Sequence, residues 1–138
     1  TLVEEIPTAG RRLIEAFWPG ALTLVFRASG IVLPALTAGT GKIGIRLSAL
    51  PAARAVAATL GRPVTATSAN RSGERECSTA DEVLAQIGDG IDAVADGGPT
   101  AGVPGSTFVD VAAGAPVILR RGAIAEEKIR QALGFGPG

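Results

Sequence analysis

The sequence predicts an α/β or α+β fold with a mixed sheet, on three observations. Helical and strand-like stretches alternate along most of the chain. A hairpin pattern follows them. Neither an internal repeat nor a domain linker interrupts the run, so residues 1–138 read as a single domain. The 138 residues are 46% hydrophobic and 19% charged, with a mean hydropathy of +0.34, enough apolar material for a core.

Each element has its own signal. Ala9–Phe17 has helical periodicity and stops at Trp18-Pro19-Gly20, because proline disfavours helical geometry in the residue before it. Leu22–Phe26 reads as a short apolar strand. Lys42–Leu47 reads as another, with Ile43, Ile45 and Leu47 on one face and Lys42, Gly44 and Arg46 on the other. Pro51–Leu60 is an alanine-rich helix with proline in its first turn and Gly61 past its end. Pro63–Thr67 is β-prone and runs into a polar loop, Ser68–Ser78. Thr79 to Glu82 forms a capping-box pattern that opens a helix to about Ile87, closed by Gly88. Ile91–Ala95 reads as a further strand, followed by the glycine-rich run Asp96–Gly105. Thr107–Val111 and Val117–Arg120 read as a hairpin. The last helix, Glu126–Leu133, carries acids in its first turn and ends at Gly134, and residues 134–138 read as a frayed tail.

Composition narrows the chemistry. The chain has no histidine, which removes imidazole acid–base catalysis, His-based triads and histidine metal sites. Its single cysteine, Cys77, forms neither an internal disulfide nor a zinc knuckle, and its acid-flanked loop gives no reason for a lowered thiol pKa. Uncharged stretches such as Ile31–Gly41 are too short for a bilayer span and are broken by proline and glycine. No basic-then-apolar leader opens the chain, so a cytoplasmic location is expected. The absence of any methionine leads to the expectation that the chain does not begin at a natural start.

The 13 basic and 13 acidic residues cancel, but they are segregated. Arg11 to Arg75 carries nine basic residues against Glu15 and Glu74. Glu76 to Leu119 carries seven acids and no base. Two halves attracting one another across a solvated surface account for this. A positive cleft for an anionic ligand accounts for it as well.

Several polar residues stand where apolar ones would be less costly. Arg46 falls within a strand pattern, where a guanidinium either pairs with an anion or lies on the solvent face of an edge strand. The β-prone stretch into Ser68-Ala69-Asn70-Arg71-Ser72-Gly73 ends in hydroxyl and amide side chains, suited either to an ordinary Asx turn or to phosphate, ribose or carboxylate recognition. Gly102-Val103-Pro104-Gly105-Ser106-Thr107 allows close backbone approach to a ligand but matches no phosphate-loop consensus. The guanidiniums of Arg120 and Arg121 either clamp a polyphosphate or face water. Trp18 reads as a packing anchor, with a stacking platform as the alternative.

Taken together and in order, these motifs resemble a known family. They are Trp18-Pro19-Gly20-Ala21-Leu22-Thr23-Leu24, Ile43-Gly44-Ile45-Arg46, Ser68-Ala69-Asn70-Arg71-Ser72-Gly73, Ser78-Thr79-Ala80-Asp81-Glu82-Val83, Asp96-Gly97-Gly98, Gly105-Ser106-Thr107-Phe108-Val109-Asp110 and Ile118-Leu119-Arg120-Arg121-Gly122-Ala123-Ile124. The set is similar to the YrdC-like family, the threonylcarbamoyl-AMP synthases, from about Ala16 to Leu133. The resemblance implies a YrdC-like twisted mixed sheet with flanking helices around a positively charged cavity. It implies condensation of L-threonine, bicarbonate and ATP, accompanied by Mg²⁺, into threonylcarbamoyl-AMP with release of pyrophosphate. A partner complex then transfers the threonylcarbamoyl group to tRNA. By the same resemblance Arg46 and Ser106 contact threonine, while Lys42, Ser68, Asn70 and Arg120 belong to the ATP site.

The chain departs from the family pattern in three ways. It lacks the opening Pro-Thr-(Asp/Glu)-Thr-x-Tyr-Gly-Leu-like strand and the Lys-x-Arg segment after it, so the domain is expected to be incomplete at its N-terminus. Glu76 stands where a serine is usual, and Ala66 where a hydroxyl is frequent. Other readings are a non-catalytic domain binding double-stranded RNA or nucleotide, with the basic segment supplying phosphate contacts, and the carbamoyl-transfer domain of a larger maturation enzyme.

Overall fold

The structure, a computed structural model, describes residues 1–100 and 104–135. Its elements run α1 (Thr8–Phe17), β1 (Leu22–Arg27), α2 (Pro34–Thr37), β2 (Lys42–Ile45), α3 (Pro51–Leu60), α4 (Ala80–Ile87), β3 (Thr107–Asp110), β4 (Val117–Arg120) and α5 (Glu126–Ala132). The expected mixed sheet is present, with four strands in the order β2-β1-β3-β4. β1 pairs antiparallel with β2 and parallel with β3, and β3 pairs antiparallel with β4 across the expected hairpin. Among the described residues no helix is long and apolar enough to cross a membrane.

The chain divides into two compact units, residues 1–61 with 104–138, and residues 62–103. The first holds the whole sheet. Alternation along β1 sends Leu22, Leu24 and Phe26 to one face, where they join Val109, Val111, Leu13 of α1 and Ile129 of α5 in the core. Leu13, Leu22, Leu24 and Val109 are fully buried. Truncating Leu24 to alanine there costs about 2–5 kcal/mol. Trp18 packs against this core and its indole N–H donates to the Leu22 carbonyl at 2.8 Å, the anchor its sequence position suggests.

The second unit contains α4. Thr79 caps it, its hydroxyl accepting from the Glu82 amide at 3.2 Å. The Glu82 carboxylate reaches back one residue further than a standard capping box, accepting from the Ser78 amide at 2.6 Å and the Ser78 hydroxyl at 3.0 Å. These bonds and Arg75 lower the Glu82 pKa from its ordinary 4.5 to about 2, with the Ser78 amide contributing most.

Some expected elements differ. Pro63–Thr67 and Ile91–Ala95 form no strand. Both have β-prone composition but no ladder partner among the described residues, and an isolated strand leaves its backbone groups unpaired. β2 ends at Ile45, so Arg46 lies just past the strand rather than inside it. The one-turn helix α2 begins at a proline within the Ile31–Gly41 stretch and was not expected. Gly134 and Phe135 close α5 through amides donating to Gln131 and Arg130 carbonyls at 3.0 Å each, and the rest of the expected frayed tail lies outside the described residues.

Candidate functional site

One sheet face carries the core. The opposite face carries the polar side chains, and strand register explains how they meet. Thr23 of β1 lies beside Phe108 of β3, and Phe108 lies beside Arg120 of β4. Because β1 and β3 are parallel neighbours in mid-sheet, these three residues form a row across the strands. On the far side of β1, the β1–β2 register ends at Leu24↔Ile45, and Arg46 is the next residue past it.

Ser106, the residue before β3, is the hub of this row. Its hydroxyl shares a hydrogen bond of 2.8 Å with that of Thr23. The Arg120 guanidinium donates to the Ser106 carbonyl at 2.9 Å through one terminal nitrogen and at 3.3 Å through Nε. The same terminal nitrogen lies 3.4 Å from the Ser106 hydroxyl oxygen. The guanidinium sits 4.3 Å from the centre of the Phe108 ring, a cation–π arrangement that fixes its plane. The other terminal nitrogen has no partner among the described residues, so Arg120 is held in place with donors to spare.

The backbone beneath this cluster is tightly packed. A Cβ at Gly122 would collide with the Gly105 carbonyl oxygen and the Ser106 backbone, so only glycine fits there. The Ala123 amide donates to the Gly105 carbonyl at 2.9 Å. The Thr107 hydroxyl donates to the Ile124 carbonyl at 2.8 Å and accepts from the Ile124 amide at 3.0 Å. The segment after β4 is thereby stitched to the start of β3, which sets Ser106 and Arg120 side by side. Gly44 of β2 also keeps the face low, since a Cβ there would lie 3.2 Å from the Thr23 methyl.

The remaining candidates are placed as follows. Lys42 donates to the Asp110 carboxylate at 2.6 Å. Partial burial opposes the charge on Asp110, but the Lys42 hydrogen bond, the Ala112 amide and the Lys42 charge outweigh it and lower the carboxyl pKa. Arg46 is exposed and makes no ion pair or hydrogen bond among the described residues. Ser68 and Asn70 lie in the second unit. Ser68 is exposed. Asn70 donates to the carbonyls of Arg71 and Glu74 at 3.0 and 2.9 Å, which fixes its amide orientation and leaves its buried Oδ1 without a partner among the described residues.

Structure therefore brings Ser106 and Arg120 together and ties Lys42 to Asp110. Sequence reasoning passed over Thr23, Phe108 and Asp110. Thr23 had a signal, a hydroxyl between Leu22 and Leu24 in an otherwise apolar strand. Phe108 and Asp110 had none, because their role depends on cross-strand neighbours far away in sequence.

A family model, Sua5_yciO_yrdC, described as telomere recombination, matches residues 1–122. The chain is 37% identical over 129 residues to the threonylcarbamoyl-AMP synthase of Bacillus subtilis, covering 93% of this chain and 37% of that protein. It is 35% identical over 133 residues to a putative threonylcarbamoyl-AMP synthase of Mycobacterium tuberculosis, covering 96% and 61% respectively. Among solved structures, Pyrococcus abyssi Sua5 complexed with L-threonine is similar with a TM-score of 0.91 and 34% identity, covering 96% of this chain and 39% of that one. Escherichia coli YciO is similar with a TM-score of 0.80 and 25% identity, covering 90% and 61%. The chain thus spans between about a third and three fifths of the length of these relatives.

Proposed function

Because the chain belongs to the Sua5/YciO/YrdC family, we propose that it carries threonine- and nucleotide-holding residues of an L-threonylcarbamoyladenylate synthase, a nucleotidyltransferase. The observation that carries this reading is the pairing of Ser106 with an anchored Arg120 on the polar sheet face, in a fold similar to a relative solved with L-threonine.

In this reaction the threonine amine takes up bicarbonate with loss of water. A carbamate oxygen then attacks the α-phosphorus of ATP, a P–O bond breaks, and pyrophosphate leaves. Positioning and charge compensation do most of the work, which suits a chain without histidine. Arg46, exposed and without a partner among the described residues, holds the threonine carboxylate in a charge-assisted pair, and Ser106 contacts the same substrate. Arg120 directs its spare donors at the nucleotide phosphates, where Lys42 adds positive charge. Ser68 and Asn70, in the second unit, offer hydroxyl and amide groups for nucleotide contacts. The product's threonylcarbamoyl group is destined for tRNA adenosine through partner proteins.

Among the described residues no group of three or more His, Cys, Asp or Glu side chains is arranged to hold a metal ion. Asp110, the carboxylate on this face, is committed to Lys42. Mg²⁺ accompanying ATP would be held mainly by the nucleotide's own phosphates and water, which needs no three-carboxylate cluster.

The test is pyrophosphate release from ATP, measured with threonine and bicarbonate together and with each left out, alongside calorimetric titration of L-threonine. Binding of threonine with release that requires both co-substrates is expected. Arg46→Ala is expected to weaken threonine binding by about tenfold or more, the loss of one charge-assisted pair. A folded chain that neither binds threonine nor releases pyrophosphate sinks the reading.

A further inference from the structure

We propose that Thr23 is a positioning residue that fixes the Ser106 hydroxyl as a hydrogen-bond donor to the ligand, so that the site accepts an anionic oxygen at that point. The inference comes from counting donors and acceptors. Thr23 lies in the central strand and is 6% exposed, so bulk water does not take its proton. Among the described residues the only side-chain hydrogen bond of Thr23 is the 2.8 Å contact with Ser106. A buried hydroxyl whose proton has no acceptor is costly. Thr23 therefore donates and Ser106 accepts.

The second neighbour of the Ser106 hydroxyl points the same way. Arg120 is a guanidinium and only donates, and one of its nitrogens lies 3.4 Å from the Ser106 oxygen. The two lone pairs of that oxygen thus face Thr23 and Arg120. Its proton is the one group left over, and it is free to point off the sheet. A ligand atom meeting Ser106 must then accept a hydrogen bond, and the adjacent Arg120 charge favours an oxygen bearing negative charge, as in a carboxylate, carbamate or phosphate. Without Thr23 the Ser106 hydroxyl would rotate to donate into the sheet or to water, and this selection would be lost. The proposal rests on the synthase reading only in naming threonine and ATP as the ligands that supply that oxygen.

Two measurements decide it. In the unsubstituted chain, NMR of slowly exchanging hydroxyl protons is expected to show one protected proton on the Thr23 side chain and none on Ser106. A protected proton on Ser106 overturns the proposal, whatever the chain binds. Thr23→Val keeps the side-chain shape and removes the donor, whereas Thr23→Ser keeps the donor. Thr23→Val is expected to weaken binding of L-threonine by about tenfold, with Thr23→Ser within about twofold of the unsubstituted chain. If the tenfold loss falls on ATP instead, the donor assignment stands and the acceptor is a phosphate oxygen. Unchanged binding of both ligands by a folded Thr23→Val overturns the proposal. If the unsubstituted chain binds neither ligand, the synthase reading fails, and the hydroxyl-proton measurement alone decides the polarity of the pair.

Discussion

Arg46, Ser106 and Arg120 are all polar residues at or next to the ends of short strands, yet they stand in different chemical states. Arg120 is held on three sides, by the Ser106 carbonyl, the Ser106 hydroxyl and the Phe108 ring. Arg46 is exposed and has no partner among the described residues. Replacing Phe108 with leucine keeps the apolar bulk and removes the ring quadrupole beneath the guanidinium, and it is expected to raise the KM for ATP several-fold with little change in folded stability. Steady-state kinetics together with a denaturant midpoint check both parts. Titration gives another residue-scale prediction. The Glu82 carboxyl lies well below its ordinary 4.5, at about 2, so its contribution to holding the start of α4 is complete above 4.5 and is lost as pH falls through 2. The Ser78 amide chemical shift is expected to titrate with a midpoint near 2. A midpoint at the ordinary value would mean that the Ser78 bonds do not form.

Elements succeed or fail according to whether they find partners. α1, α4 and α5 follow their local signals, since a helix satisfies its own backbone. β1 and β3 form because they lie side by side in mid-sheet, while Pro63–Thr67, with similar residue types, stays irregular for want of a neighbour. The turn from β4 into α5 is the tightest point of the site, because Gly122 lies directly on the Gly105 and Ser106 backbone. Gly122→Ala is expected to cost about 1–3 kcal/mol, the range for overpacking. Gly30→Ala, with open space around its Cβ position, is expected to stay within about 0.5 kcal/mol. Urea midpoints of the two variants test the contrast, and equal effects would contradict the packing described. Farther along, Glu126 accepts from Arg121 at 3.0 Å and from Arg130 at 3.1 Å, and both pairs lower its pKa, Arg130 first. These pairs are exposed and orient the first turn of α5 more than they stabilise it.

At the scale of the whole molecule, the sheet has one covered face and one polar face. Large apolar side chains outside the core are also exposed, among them Leu50, Val56 and Leu60 near and in α3, a helix that buries none of its residues. Such a molecule gains stability from any ligand that binds only the folded form. L-threonine at a hundredfold excess over its Kd is expected to add about 2.7 kcal/mol, read as an upward shift in Tm. A Tm indifferent to saturating threonine would contradict binding to the native state.

The mixed α/β class, helices α1, α3, α4 and α5 and the β3–β4 hairpin were legible from sequence, because periodicity, caps and turns are local signals. Its ordered motifs also pointed to the family that the comparisons bear out. Which polar side chains act together is set by the three-dimensional pairing of the strands. Ser106 and Thr23 are 83 residues apart, and Lys42 and Asp110 are 68 apart. Their meeting depends on which strands pair and in what register. That choice is made by burying Leu22, Leu24, Phe26 and Val109 on the other face of the same sheet.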